Sequence, residues 1–148
     1  MNNVTRTLLA LSCALALSAC NKQETPAETT ADVNEAKVEA QADVTAAASD
    51  AIGTAAQGSQ DIADASGNKA DVNDAAANAM DNNASARYDV EIAKADGDLK
   101  VSKQKCDGLA ANMQDACKKT AEAAYDTAKA AAITQRDAKE ASADAMKK

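Results

Sequence analysis

Thiols are the most reactive groups this chain offers. It holds four cysteines and no histidine. Without histidine it lacks the commonest general base and metal ligand, which turns the reading away from hydrolase and metalloenzyme chemistry. Cys13 sits within an apolar run, Leu8 to Leu17, that follows Arg6. A basic start, a short apolar run and small residues are the layout of an export signal, too short to span a bilayer as a lasting helix. Cys20 closes that signal. Cys106 and Cys117 remain, an even pair in an exported chain, and a disulfide between them is expected. With no C-x-x-C and no histidine, a redox motif or zinc site is not expected. The alternative is two free thiols serving as small apolar residues on a helix face.

The residues around Cys20 make that thiol more particular. Leu17-Ser18-Ala19-Cys20 resembles the lipobox of bacterial lipoproteins, in which a dedicated signal peptidase cuts before a cysteine whose thiol has been diacylated. The resemblance implies cleavage between Ala19 and Cys20, removal of residues 1–19, and two or three acyl chains such as palmitate on Cys20. One acyl chain anchors marginally and two suffice. The alternative is an ordinary secretory signal with a chance cysteine.

The elements that must hold these groups are helical. The chain has 148 residues with two tyrosines and neither Trp nor Phe, and its 46% hydrophobic content is mostly alanine. At about 25 cal/mol per Å², alanine removes too little apolar area to offset the ordering of a compact fold. Alanine is, however, the best helix former. An acidic balance, with a net charge of −7, argues against a nucleic-acid partner. The expected class is all-α: extended Ala-rich helices ending in an antiparallel hairpin, preceded by a partly disordered acidic spacer.

Charge divides the chain. Residues 21–85 carry three lysines against twelve acids, and residues 86–148 carry twelve basic residues against eleven acids. The step suggests a lipidated acidic spacer over 20–85 and a helical hairpin over 86–148. In the first part Val33, Ala36, Ala40, Val44, Ala47, Ala51 and Ala55 form a weak stripe, which Gly53, Gly58 and Ser66-Gly67-Asn68 are expected to interrupt. In the second part Tyr88, Ile92, Ala95, Leu99, Ser102, Cys106 and Leu109 make one heptad stripe. Met113, Cys117, Ala121, Ala124, Ala128, Ala131, Gln135, Ala138, Ser142 and Ala145 make another.

Between these stripes Gly108 is expected to end a helix with positive φ, and Asn112 to cap the next with Asp115 three residues on. Arms over about 86–107 and 113–146 must then fold back on each other, with Cys106 and Cys117 stapling the closed end. Gly97 looks awkward within the first arm, and Asp96-Gly97-Asp98 is too short for a calcium loop. No metal or cofactor is expected.

Taken whole, the processed chain resembles the Braun-type murein lipoproteins, which pair a lipidated cysteine with an Ala-rich heptad helix and a terminal lysine. The residues from Tyr88 to Ala130 are also similar to proteobacterial envelope proteins loosely labelled TolA-like. The first resemblance implies peptidoglycan attachment through Lys148, and Asn21 after the lipidated cysteine implies the periplasmic face of the outer membrane. The function expected is that of a non-enzymatic, lipid-anchored spacer or scaffold. Its partners would be the membrane and either peptidoglycan or another envelope protein. A stress-protective, chaperone-like periplasmic protein is the alternative from another class.

Overall fold

Three long helices account for nearly all of the backbone that the computed structural model describes, residues 24–65 and 67–147. Helix α1 spans Pro26–Asp64, α2 spans Lys69–Asp107 and α3 spans Ala111–Met146. Each start has a local cause. Thr25 caps α1 in a reciprocal capping box: its hydroxyl accepts from the Glu28 amide at 3.3 Å, and its own amide donates to Glu28 Oε2 at 2.8 Å. Pro26 occupies the first turn, where a missing N–H costs nothing. Asn68 caps α2 by accepting from the Ala70 amide at 3.0 Å. α3 has no side-chain cap. It starts from Ala110, which accepts from the Met113 amide at 2.8 Å, so Asn112 lies inside the first turn and not at the cap.

The all-α class and the antiparallel hairpin of α2 and α3 are as expected. The first part of the chain is more ordered than its composition suggested. Residues 26–64 form one 39-residue helix that runs through both Gly53 and Gly58. The charge step at residues 85/86 falls inside α2, which continues unbroken across it. A change of charge marks a change of surface there, not a break in the backbone.

α2 is the middle helix of a single layer. It packs on α1 along one side and on α3 along the other, while the backbones of α1 and α3 do not approach each other closely. Helical periodicity explains how one helix serves both. Eighteen residues make about five turns, so Ala79 and Gly97 share a face; nine make about two and a half, so Tyr88 and Cys106 share the opposite one. The first pair meets Gly58 and Ala40 of α1. The second pair meets Arg136 and Cys117 of α3.

Small residues let these seams close tightly. The buried set is Val33, Ala36, Ala77, Ala79, Ala84, Ala95, Cys106, Ala132 and Ala143, and Cys106 is its largest fully buried side chain. A Cβ on Gly97 would lie 2.6 Å from Ala40 Cβ, and one on Gly58 would lie 2.7 Å from Ala79 Cβ. Gly97, awkward as a helix residue, is therefore a seam residue. Gly108 ends α2 as expected, but its φ is −74°, in the right-handed region and not the positive one. Its role is clearance, since a Cβ there would meet the Thr29 side chain at 2.7 Å.

Candidate functional site

The chemistry singled out by the sequence falls partly within the described residues, at Cys106 and Cys117, and partly outside them. Cys20, Ala19 and Lys148 fall outside the described residues. The description begins at Glu24, whose carboxylate accepts from the Thr29 hydroxyl at 3.1 Å. Thr29 in turn faces Gly108 at the α2–α3 turn. The chain therefore emerges from its N-terminal segment beside the closed end of the hairpin.

That closed end is built around the Cys106–Cys117 disulfide, whose Cα atoms stand 5.6 Å apart. Two side chains hold the turn between them. Gln114 Nε2 donates to the Asp107 carbonyl at 2.9 Å and to the Leu109 carbonyl at 3.0 Å, satisfying acceptors that the end of α2 leaves open. Lys118 Nζ meets Asp107 Oδ1 at 2.5 Å. That hydrogen bond raises the Lys118 pKa above the ordinary lysine value. One turn further, Lys103 bonds Glu122 at 2.9 Å and holds its carboxylate below the usual range. The Glu122 contribution is thus present above the ordinary carboxylate pKa and fades as pH falls through the lowered one. Both pairs are partly open to solvent, so each is worth little on its own.

The heptad stripe on α3 follows the seam only near the turn. Cys117 and Ala121 are half-buried, but Ala124, Ala128, Ala131, Gln135, Ala138, Ser142 and Ala145 are exposed. A straight α-helix drifts about 20° per heptad from a 3.5-residue repeat, so a strict stripe rotates out of the interface over four heptads. The residues that meet α2 instead follow the helix's own period and include Gln114, Tyr125, Ala132, Arg136 and Ala143. Arg136 lies over the Tyr88 ring at 5.0 Å, near the middle of this seam.

A one-helix-thick layer has two broad faces, and they differ in chemistry. At about 100° per residue, every acid of α1 from Glu28 to Asp64 falls within one arc of roughly 80°. That arc lies on the side where ion pairs between the described helices form: Lys100 with Glu39, Lys103 with Glu122, Lys118 with Asp107 and Lys147 with Asp81. This is the charged face. Of the helices' carboxylates, only Glu91 and Asp98 fall on the other side.

The other side is a groove face. A cavity of about 580 Å³ spans all three helices there, with Ile52 and Ile62 from α1, Met80 and Arg87 from α2, and Lys139 from α3 among its lining. A second, of about 330 Å³, continues it past Tyr88, Glu91 and Gln135, sharing Ala84, Arg87 and Lys139. The α3 hydroxyls on this side turn inward: Thr120, Thr127 and Ser142 donate to carbonyls of their own helix at 2.8–3.0 Å. Ile52 is 72% exposed.

Among the described residues no group of His, Cys, Asp and Glu is placed to hold a metal ion, and no helix is long and apolar enough to cross a membrane. The sequence reading found the disulfide pair and the α2 stripe facing α3. It did not find the groove face. The signal was present in the spacing of the α1 acids, which mark one side of a helix as plainly as an apolar stripe marks the other. Comparison with protein-family models, curated proteins and solved structures finds no match for this chain.

Proposed function

We propose that this chain is a non-enzymatic, lipid-anchored envelope protein, a helical spacer or scaffold held at the periplasmic face of the outer membrane through acylated Cys20. One observation carries the reading. The Leu17-Ser18-Ala19-Cys20 segment stands immediately before a capped helix that begins at Pro26. At about 1.5 Å per residue, the 39 residues of α1 extend roughly 58 Å. An anchor joined to an extended body gives reach away from a surface.

Cys20→Ser is expected to abolish incorporation of labelled fatty acid and to move the protein out of the membrane fraction. Unchanged fractionation and labelling in that variant overturn the reading.

A second reading, attachment to peptidoglycan through Lys148, is favoured by the path of the chain. Three antiparallel helices bring α3 to its end far from Pro26, where Lys147 meets Asp81 at 4.0 Å. Met146, the last residue of α3, thus lies at the end of the layer opposite Pro26. Muramidase digestion of detergent-boiled sacculi is expected to release the protein bearing muropeptide. Complete extraction by boiling detergent before digestion counts against attachment.

A further inference from the structure

We propose that the groove face is the interface of a homodimer, in which a second copy stacks on it antiparallel. The observation behind this is a run of four charges on that side of α2: Arg87, Glu91, Lys94 and Asp98. All four are exposed. Among the described residues none of them has an ion-pair partner, whereas the charged face pairs its helices repeatedly.

Their order is self-complementary. A two-fold axis crossing α2 between Ile92 and Ala93 places Arg87 over the mate's Asp98 and Glu91 over the mate's Lys94. Each pair then occurs twice, as a two-fold interface requires. An in-register parallel stack would set like charge on like. In the antiparallel stack Lys105 falls over the mate's Met80, where its aliphatic stem can lie on an apolar side chain.

The area suffices. A helix of 36 residues is about 54 Å long, and three helices 8–10 Å apart make a face roughly 25 Å wide. That is on the order of 1,300 Å² per copy, against about 800 Å² per partner in a standard interface.

An anionic lipid surface fits less well. The groove face is net positive, but the acid-rich charged face lies only about 10 Å behind it, roughly one Debye length at 0.1 M salt. The two faces largely cancel at such a surface, whereas a second copy reads the charge order itself.

The test mixes isotope-labelled and unlabelled copies of the purified processed chain and applies a zero-length carbodiimide crosslinker. Mixed-isotope Glu91–Lys94 crosslinks are expected, together with a dimeric mass. Lys94→Glu and Glu91→Lys should each weaken the dimer roughly tenfold, since each variant turns two attractive pairs repulsive. The double variant Glu91→Lys/Lys94→Glu restores complementarity and should recover the dimer, which an unfolding effect would not. The proposal is overturned by crosslinks within single chains only, by a double variant no better than the single ones, or by a monomeric mass. Protection of this face only on adding vesicles of anionic lipid would also overturn it.

Discussion

Reducing the Cys106–Cys117 disulfide is expected to destabilise the protein by ~3 kcal/mol and to release α3 first. The figure follows from closing a separation of 11 residues in the chain-entropy model. The location follows from the layer: the backbone of α3 approaches that of α2 alone, and its seam is mostly alanine. Once the staple opens, Arg136 over Tyr88 and a few exposed ion pairs are what remain against the freed chain entropy. The α1–α2 seam shares none of those groups. Thermal melts followed by helicity should therefore separate into two stages under reducing conditions, the first losing about a third of the signal. Hydrogen exchange should accelerate in α3 before α1. A reduced protein that melts in one step at the oxidised temperature would contradict this.

Gly97→Ala is expected to lower stability by about 1–3 kcal/mol, the reverse of the usual sign. In an open helix position the same change raises stability by about 1 kcal/mol, because alanine costs less backbone entropy. Gly53 is such a position, with nothing within 4 Å of an added Cβ, and Gly53→Ala should raise the melting temperature. At Gly97 the new methyl would stand 2.6 Å from Ala40 Cβ and 3.3 Å from Ala40 Cα. Neither is the far end of a flexible chain, so the helices must move apart, at the cost typical of overpacking. Ala40→Gly should restore most of the loss when combined with Gly97→Ala. Denaturant titration of these three variants beside the parent chain gives the comparison. Equal stabilisation by both Gly→Ala changes would rule out the tight seam.

How much of this was legible in the sequence depended on contrast. The α1 stripe from Val33 to Ala55 could be read because its neighbours are acidic, and every member is buried or half-buried. The α2 stripe from Tyr88 to Leu109 could be read because it holds Ile92 and Leu99 among charges. The second stripe of α2 was hidden, since Ala79, Ala86, Gly97 and Gly108 do not stand out in an Ala-rich chain. Two opposed stripes on one helix also cancel as an amphipathic signal. The order of residues 26–64 escaped notice for the same reason. Glycine read as an interruption is, against another helix, the residue that lets a neighbour's backbone approach.

The turn shows the limit of local rules. Gly108 does end α2, as its type suggests, but with negative φ and with Thr29 packed against it, while Asn112 lies within the first turn and not at the cap. Tertiary contact decided the first. In the staple, by contrast, an even pair of cysteines after an export signal, set on two facing stripes, pointed to Cys106 and Cys117 without any knowledge of the tertiary contacts.

The odd number of helices among the described residues has a mechanical side. The two ends of the layer's chain path, Pro26 and Met146, leave from opposite ends of the molecule. A pull between them runs along the helix axes and loads both seams in shear. Contacts along each seam must then yield together, instead of peeling one after another. The notches where Gly97 admits Ala40 and Gly58 admits Ala79 stand across the direction of sliding. Anything fastened to those two ends would be joined by a strut that resists extension.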